Sequence, residues 1–181
     1  MIEAERRQIT VMSCQATGAV VRTDGRDLED LREAIGAFQR CVSEIIGRHG
    51  GFIARRLGNS VLVLFGYPAA HENDAEEAIR AGLDLCAVVR TLRPDADVPM
   101  RCRVGIATGM VIVGDLVGAG TVRDHKIVGN APDLAVRLQV SAQPDTVTIE
   151  TTTWGLIGNL FDCRDLGAID TKSDTEPIRR W

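Results

Sequence analysis

The chain has 181 residues, a net charge of −4 and a pI near 5.4. That length suffices for one domain with its own core, and 45% hydrophobic with 25% charged residues is ordinary for a globular protein. The acidic balance, with aromatics at only 4%, excludes a general nucleic-acid binder.

In chain order, Gln8–Cys14 predicts a first strand, followed by a loop over 15–25. A helix is expected from about Asp27, a good N-cap with Glu29 and Asp30 in the first turn. Its apolar stripe is Leu31, Ile35, Phe38, Val42, Ile45 and His49, and Gly50-Gly51 ends it. Phe52–Gly66 then reads as a hairpin whose turn is Leu57-Gly58-Asn59-Ser60. Val61–Phe65 is an unbroken apolar run, so that strand should be covered on both faces. Arg55 and Arg56 precede the turn, and a tight turn is a rigid place to hold a polar group. Asn59 and Arg55 are therefore expected near any bound ligand, a plain hairpin with a basic edge being the alternative.

Asn73 opens a second helix with Glu76 placed for a capping box, and Ala75, Ile79, Leu83, Cys86 and Val89 on its buried side. Met100–Ala107 and Met110–Gly114 read as a second hairpin joined at Thr108-Gly109. A Gly-rich loop over 115–124 follows, then a short strand at His125–Val128. A third helix starts near Asn130 with Leu134, Val136 and Leu138. The remaining elements are a strand at Thr146–Ile149, a short helix at Thr151–Leu160, and final strands at Phe161–Leu166 and Ile178–Trp181. Hairpins mixed with helices point to an α+β fold with helices on a mixed, mostly antiparallel sheet. The order is compatible with a ferredoxin-like core plus additions. Five scattered cysteines have neither zinc nor redox spacing and read as buried free thiols of a reducing compartment, and no apolar run reaches membrane-span length. The expectation is one cytoplasmic domain over residues 1–181, which could itself be cut from a longer multidomain protein.

Five stretches together resemble the catalytic domain of class III nucleotide cyclases, the adenylyl and guanylyl cyclases. They are ERRQITVMSCQATG, HGGFIARRLGNSVLVLFGYPAAHENDAEEAIRAGL, RCRVGIATGMVIVGDLVG, IVGNAPDLAVRLQ and DLGAIDTKSDTEPIRRW, in the family's order and spacing. The resemblance implies a ferredoxin-like α+β domain of the cyclase type that pairs head to tail, with active sites at the interface. It also implies phosphoryl transfer in which two metal ions, Mg²⁺ or Mn²⁺, activate the ribose 3′-hydroxyl and neutralise phosphates.

At the two positions where the family carries metal-binding aspartates, this chain has Gln15 and Asn59. Mg²⁺ prefers carboxylates, and each contact is worth on the order of several kcal/mol even at a high effective dielectric. Neutral amides do not offset two divalent ions, so no tightly bound metal is expected. Asp115 and Asp124 are the candidate substitutes. At the base-reading positions the resemblance places Arg55 and Lys126. A cation at 126 opposes the adenine amine, and the guanylyl pattern wants a carboxylate nearby. The transition-state pair maps to Asp133 and Arg137, one turn apart, which also read as a helix N-terminal acid and its i+4 partner. Lys172 matches the phosphate-binding lysine, or is a solvated loop residue.

With Gln15, Arg55, Asn59, Lys126 and Asp133 changed and Arg137 and Lys172 kept, the leading expectation is a pseudo-cyclase. It would be a dimerising regulatory module, as a homodimer or as a heterodimer with an intact cyclase domain. The alternatives are a divergent active adenylyl or guanylyl cyclase, and a sensor binding a nucleotide or other anion through Arg55, Lys126, Arg137 and Lys172.

Overall fold

The structure is a computed structural model that describes residues 5–18, 28–92, 98–115, 125–169 and 178–181. Its elements are β1 (Glu5–Thr17), α1 (Leu28–Arg48), β2 (Phe52–Leu57), β3 (Ser60–Phe65), α2 (Asp74–Val89), β4 (Arg101–Asp115), β5 (His125–Val128), α3 (Asn130–Ser141), β6 (Thr146–Ile149), α4 (Thr151–Ile157), β7 (Gly167–Ile169) and β8 (Ile178–Arg180). The main sheet runs β2-β3-β1-β4-β5, all antiparallel, with β6 joining β4 in parallel. β4 is long enough to share one edge between two partners. Arg103–Ile106 pair with β6, and Ile112–Asp115 pair with β5. This is the expected α+β fold with a mixed, mostly antiparallel sheet.

Strand alternation sorts the core into two layers. On β1, Met12, Cys14 and Ala16 face α1 and α2 together with Val61, Val63 and Phe65 of β3. Ile9 and Val11 face the other way, against Ala131, Ala135 and Leu138 of α3. β3 is buried on both faces, as its unbroken apolar run predicts. Four cysteines are buried free thiols and Cys163 is partly exposed. Burial pushes the Cys14 thiol up to about 12, which keeps it protonated and inert.

The expected turn at Thr108-Gly109 is not one. β4 passes straight through it, with Thr108 opposite Thr10 and Gly109 opposite Ile9. Thr108 is held by a buried polar chain that outweighs its turn propensity. Its N–H donates to Glu150 Oε1 at 3.0 Å, and its hydroxyl lies 2.9 Å from that of Thr10 and 3.0 Å from that of Thr153. Glu150, at the N-cap of α4, also accepts from Thr152 N, Thr153 N and the Thr153 hydroxyl. An ionised carboxylate only accepts, so the hydroxyls must point one way: Thr10 to Thr108, Thr108 to Thr153, Thr153 to Glu150.

Other differences are local. Asn73 precedes α2 but makes no capping bond; its amide donates to Glu77 at 3.4 Å, and Asp74 accepts from His71 N instead. Phe161–Leu166 forms no strand; the final pair is β7 with β8. Leu83, expected on the buried side of α2, and Val136 of α3 are exposed. Gly50 ends the α1 segment at φ +71°, as expected. No described helix is long and apolar enough to cross a membrane.

His49, at the end of α1, ties that helix to α2. Its Nδ1 lies 2.7 Å from Glu77 and its Nε2 2.9 Å from Asp84. Desolvation lowers its pKa, but the hydrogen bonds to Asp84 and Glu77 outweigh it and the net shift is upward. A raised folded-state pKa means stability present in full below the unfolded value, about 6.5, and lost as pH rises through the folded value. The wild type should therefore lose more melting temperature than His49→Ala when the pH is raised from 6 to 9. Parallel shifts of the two proteins would remove His49 from the account.

Candidate functional site

The β2–β3 turn is closed by Gly58 at φ +55° and presents Asn59 to the end of β1. Asn59 is tied there twice. Its carbonyl accepts from Ala16 N at 2.9 Å, and its Nδ2 donates to Ala16 O at 2.8 Å. Gln15, the neighbouring residue on β1, stands opposite Ser60 on β3 and Arg103 on β4. The fold thus brings Gln15 and Asn59 together at one end of the sheet. The Gln15 side chain is also engaged, its Oε1 accepting from Gln139 Nε2 at 2.9 Å.

That amide pair depends on how closely α3 lies on β4. A Cβ added to Gly105 would sit 2.2 Å from both Ala135 O and Gln139 N. The bare glycine lets the helix backbone touch the strand, and Gln139 is buried as a result. Arg103, opposite Gln15, has a buried Nε with no hydrogen-bond partner among the described residues. Two neutral amides already bonded within the chain are a poor donor set for a pair of divalent cations. Among the described residues no group of three His, Cys, Asp or Glu side chains is placed to hold a metal.

A second feature lies at the other end of α3. A groove of about 730 Å³ is lined by Arg6, Asp133, Arg137 and Arg179, with Glu150 among its lining residues. Asp133 and Arg137 are both exposed on the helix, one turn apart. Glu150 is consumed by its four donors, and Arg179 pairs with Asp165. The groove is thus lined by three guanidinium groups, Arg179 already paired with Asp165, and by the Asp133 and Glu150 carboxylates. Arg6 and Arg179 were not singled out from sequence. Each sits in an unremarkable basic doublet near a chain end, and only the topology brings them beside the start of α3.

The remaining expected positions are dispersed. Arg55 is exposed on β2, opposite Leu62 and just after a bulge. Its neighbour Arg56 reaches back to α1, donating to Ser43 Oγ at 2.9 Å and Gln39 O at 3.4 Å. Lys126 lies on β5 opposite Gly114, so Arg55 and Lys126 occupy the two outer strands of the five-strand path. Lys172 and Asp124 fall outside the described residues. Asp115 ends β4, twelve residues beyond the one opposite Gln15. That is about 40 Å of extended strand, so within one chain Asp115 is not a replacement ligand beside Gln15.

A sheet with this strand order, a polar turn against β1, and an Asp/Arg pair on the helix after the long β4 define the architecture of a nucleotide cyclase domain. The sequence profile described as "Adenylate and Guanylate cyclase catalytic domain" matches residues 7–179, and the chain belongs to that family. It is 29% identical over 178 residues to an uncharacterised Rhizobium meliloti protein, covering 98% of this chain and 17% of that one. It is also 29% identical over 140 residues to adenylate cyclase 1 of Rhizobium meliloti, covering 75% of this chain and 21% of the relative. The chain thus spans about a fifth of the length of these relatives. Among solved structures, the adenylyl cyclase CyaB from P. aeruginosa superimposes with a TM-score of 0.90 at 29% identity, over 98% of this chain and 94% of that one.

Gly105→Ala should push α3 off β4 and break the Gln15–Gln139 bond. A loss of about 1–3 kcal/mol in unfolding free energy is expected by denaturant titration, the usual cost of overpacking a tight contact. An unchanged midpoint would mean that the helix has slack at this contact.

Proposed function

We propose that this domain is a pseudo-cyclase, a dimerising regulatory module that keeps the cyclase fold without the two-metal chemistry. One observation carries the reading. Both family metal positions hold amides in place of acids, and each bonds inside the chain: Gln15 Oε1 accepts from Gln139, and Asn59 Nδ2 donates to Ala16 O. To recruit a cation, the Gln15 oxygen would compete with a half-buried hydrogen bond and would contribute no charge. Arg103 adds a positive group opposite Gln15, which further opposes a divalent ion.

Dimerisation is supported by apolar residues left in solvent. Ile112 and Val128 are cross-strand partners and both exposed, and Val136 and Val140 are exposed on α3. Surface of this kind is characteristic of association faces.

A second reading has its own support. Arg137, at the position the resemblance gives to the transition-state arginine, lines a groove with Arg6 and Arg179 that does not include Gln15 or Asn59. A heterodimer with an intact cyclase domain would draw its metals from the partner and Arg137 from this chain.

The purified homodimer, assayed with Mn²⁺ and either ATP or GTP, should give no cyclic nucleotide above the protein-free blank. Measurable turnover that disappears in Arg137→Ala would end the pseudo-cyclase reading. Restoring the acids in a Gln15→Asp/Asn59→Asp protein should create calorimetrically detectable Mn²⁺ binding that the wild type lacks. Mixing the wild-type chain with an active homologue separates the heterodimer reading, which requires turnover in the mixture to depend on Arg137.

A further inference from the structure

Away from the groove and the amide pair, a cavity of about 410 Å³ opens between α2, β6 and the 161–166 segment, with the end of β8 as one wall. Its size is that of a small-molecule pocket, commonly about 300–1,000 Å³. Leu83, Val147, Phe161 and Trp181 give it an apolar side, and Arg164 and Arg180 line it as well.

The walls are preset. Trp181 exchanges two backbone hydrogen bonds with Ile149, both 2.9 Å, and its ring stacks on Trp154 at 4.8 Å between centroids. Phe161 packs on the main core and is covered by the Arg80 guanidinium at 5.4 Å. Held from behind in this way, the rings do not fold inward to fill the space. Leu83 belongs to the stripe expected to be buried on α2, yet it is 47% exposed and lines this opening. An apolar side chain facing an unfilled space is one a ligand would cover.

The charge is also unbalanced. Arg180 lines the cavity, and its Nε is buried without an acceptor among the described residues. A buried donor of a charged group left unpaired is costly, and an incoming anion removes that cost. Arg164 adds a second cation, and Asp162 is the one acidic side chain in the lining.

We propose that this cavity binds an amphiphilic anion, a carboxylate or phosphate monoester head on an apolar body. The head pairs with Arg180 and the body lies on Leu83, Phe161 and Trp181. The site is separate from the cyclase groove and would couple a small metabolite or lipid fragment to the stability of β8 and α4. Binding here does not depend on whether the domain is catalytically dead.

The test uses the whole chain and three probes: octanoate, octyl phosphate and 1-octanol. Melting temperature and tryptophan fluorescence report binding, because Trp181 forms a wall. At least one anionic probe should raise the melting temperature saturably, and 1-octanol at equal concentration should not. The better of the two anions identifies the head group. Arg180→Met should weaken that anion roughly ten- to a hundred-fold, the worth of a charged hydrogen bond. Leu83→Trp, which fills the cavity from an exposed position and spares the charge, should abolish binding as well and covers the case that Arg180→Met fails to fold. Arg137→Ala, altered only in the groove, should respond as wild type. The proposal falls if neither anion binds, if 1-octanol matches them, if Leu83→Trp binds normally, or if Arg137→Ala abolishes the response.

Discussion

An absent side chain sets much of this molecule's geometry. At position 105 the backbone of α3 rests on β4 with no Cβ between them, and this fixes the height and axis of the helix. Gln139 is then carried over the end of β1 to meet Gln15, while Asp133 and Arg137 of the same helix line the groove. The two functional regions are therefore carried by one rigid helix. Cores built this closely transmit displacement rather than absorbing it.

The charge arrangement follows from the same placement. Neutral amides meet where the family has acids, and cations remain around them. Arg103 sits opposite Gln15, and Arg6, Arg137 and Arg179 gather at the groove. Amides offer a divalent metal no charge, whereas guanidinium groups suit phosphate or carboxylate. Metal ligation and anion recognition are physically separate properties, because they rest on different residues on different elements.

Much of the fold was legible in the sequence because its elements are strongly patterned. The unbroken run Val61–Phe65, the glycines after α1 and the Gly58-Asn59 turn each specify one local structure, and each forms as expected. Thr108-Gly109 misled because its turn chemistry is real but is outweighed by Glu150, a residue 42 positions away that binds its N–H. Leu83 and Val136 misled because helical spacing reports which side chains share a face, not whether anything covers it. In the site, Gln15 and Asn59 could be placed by resemblance. Their hydrogen bonds could not, since Gln139 is 124 positions from Gln15. Arg6 and Arg179 carried no local signal at all; their convergence is a property of strand order.

The outer edge of the sheet has a consequence of its own. β2 is a terminal strand, broken by a bulge at Ala54 and carrying Arg55 and Arg56 in succession. Irregular, positively charged borders make poor templates for further strand addition. Two such domains meeting edge to edge would repel each other and find no continuous ladder, so self-assembly into extended ribbons is discouraged and contact is diverted to the helical and apolar faces.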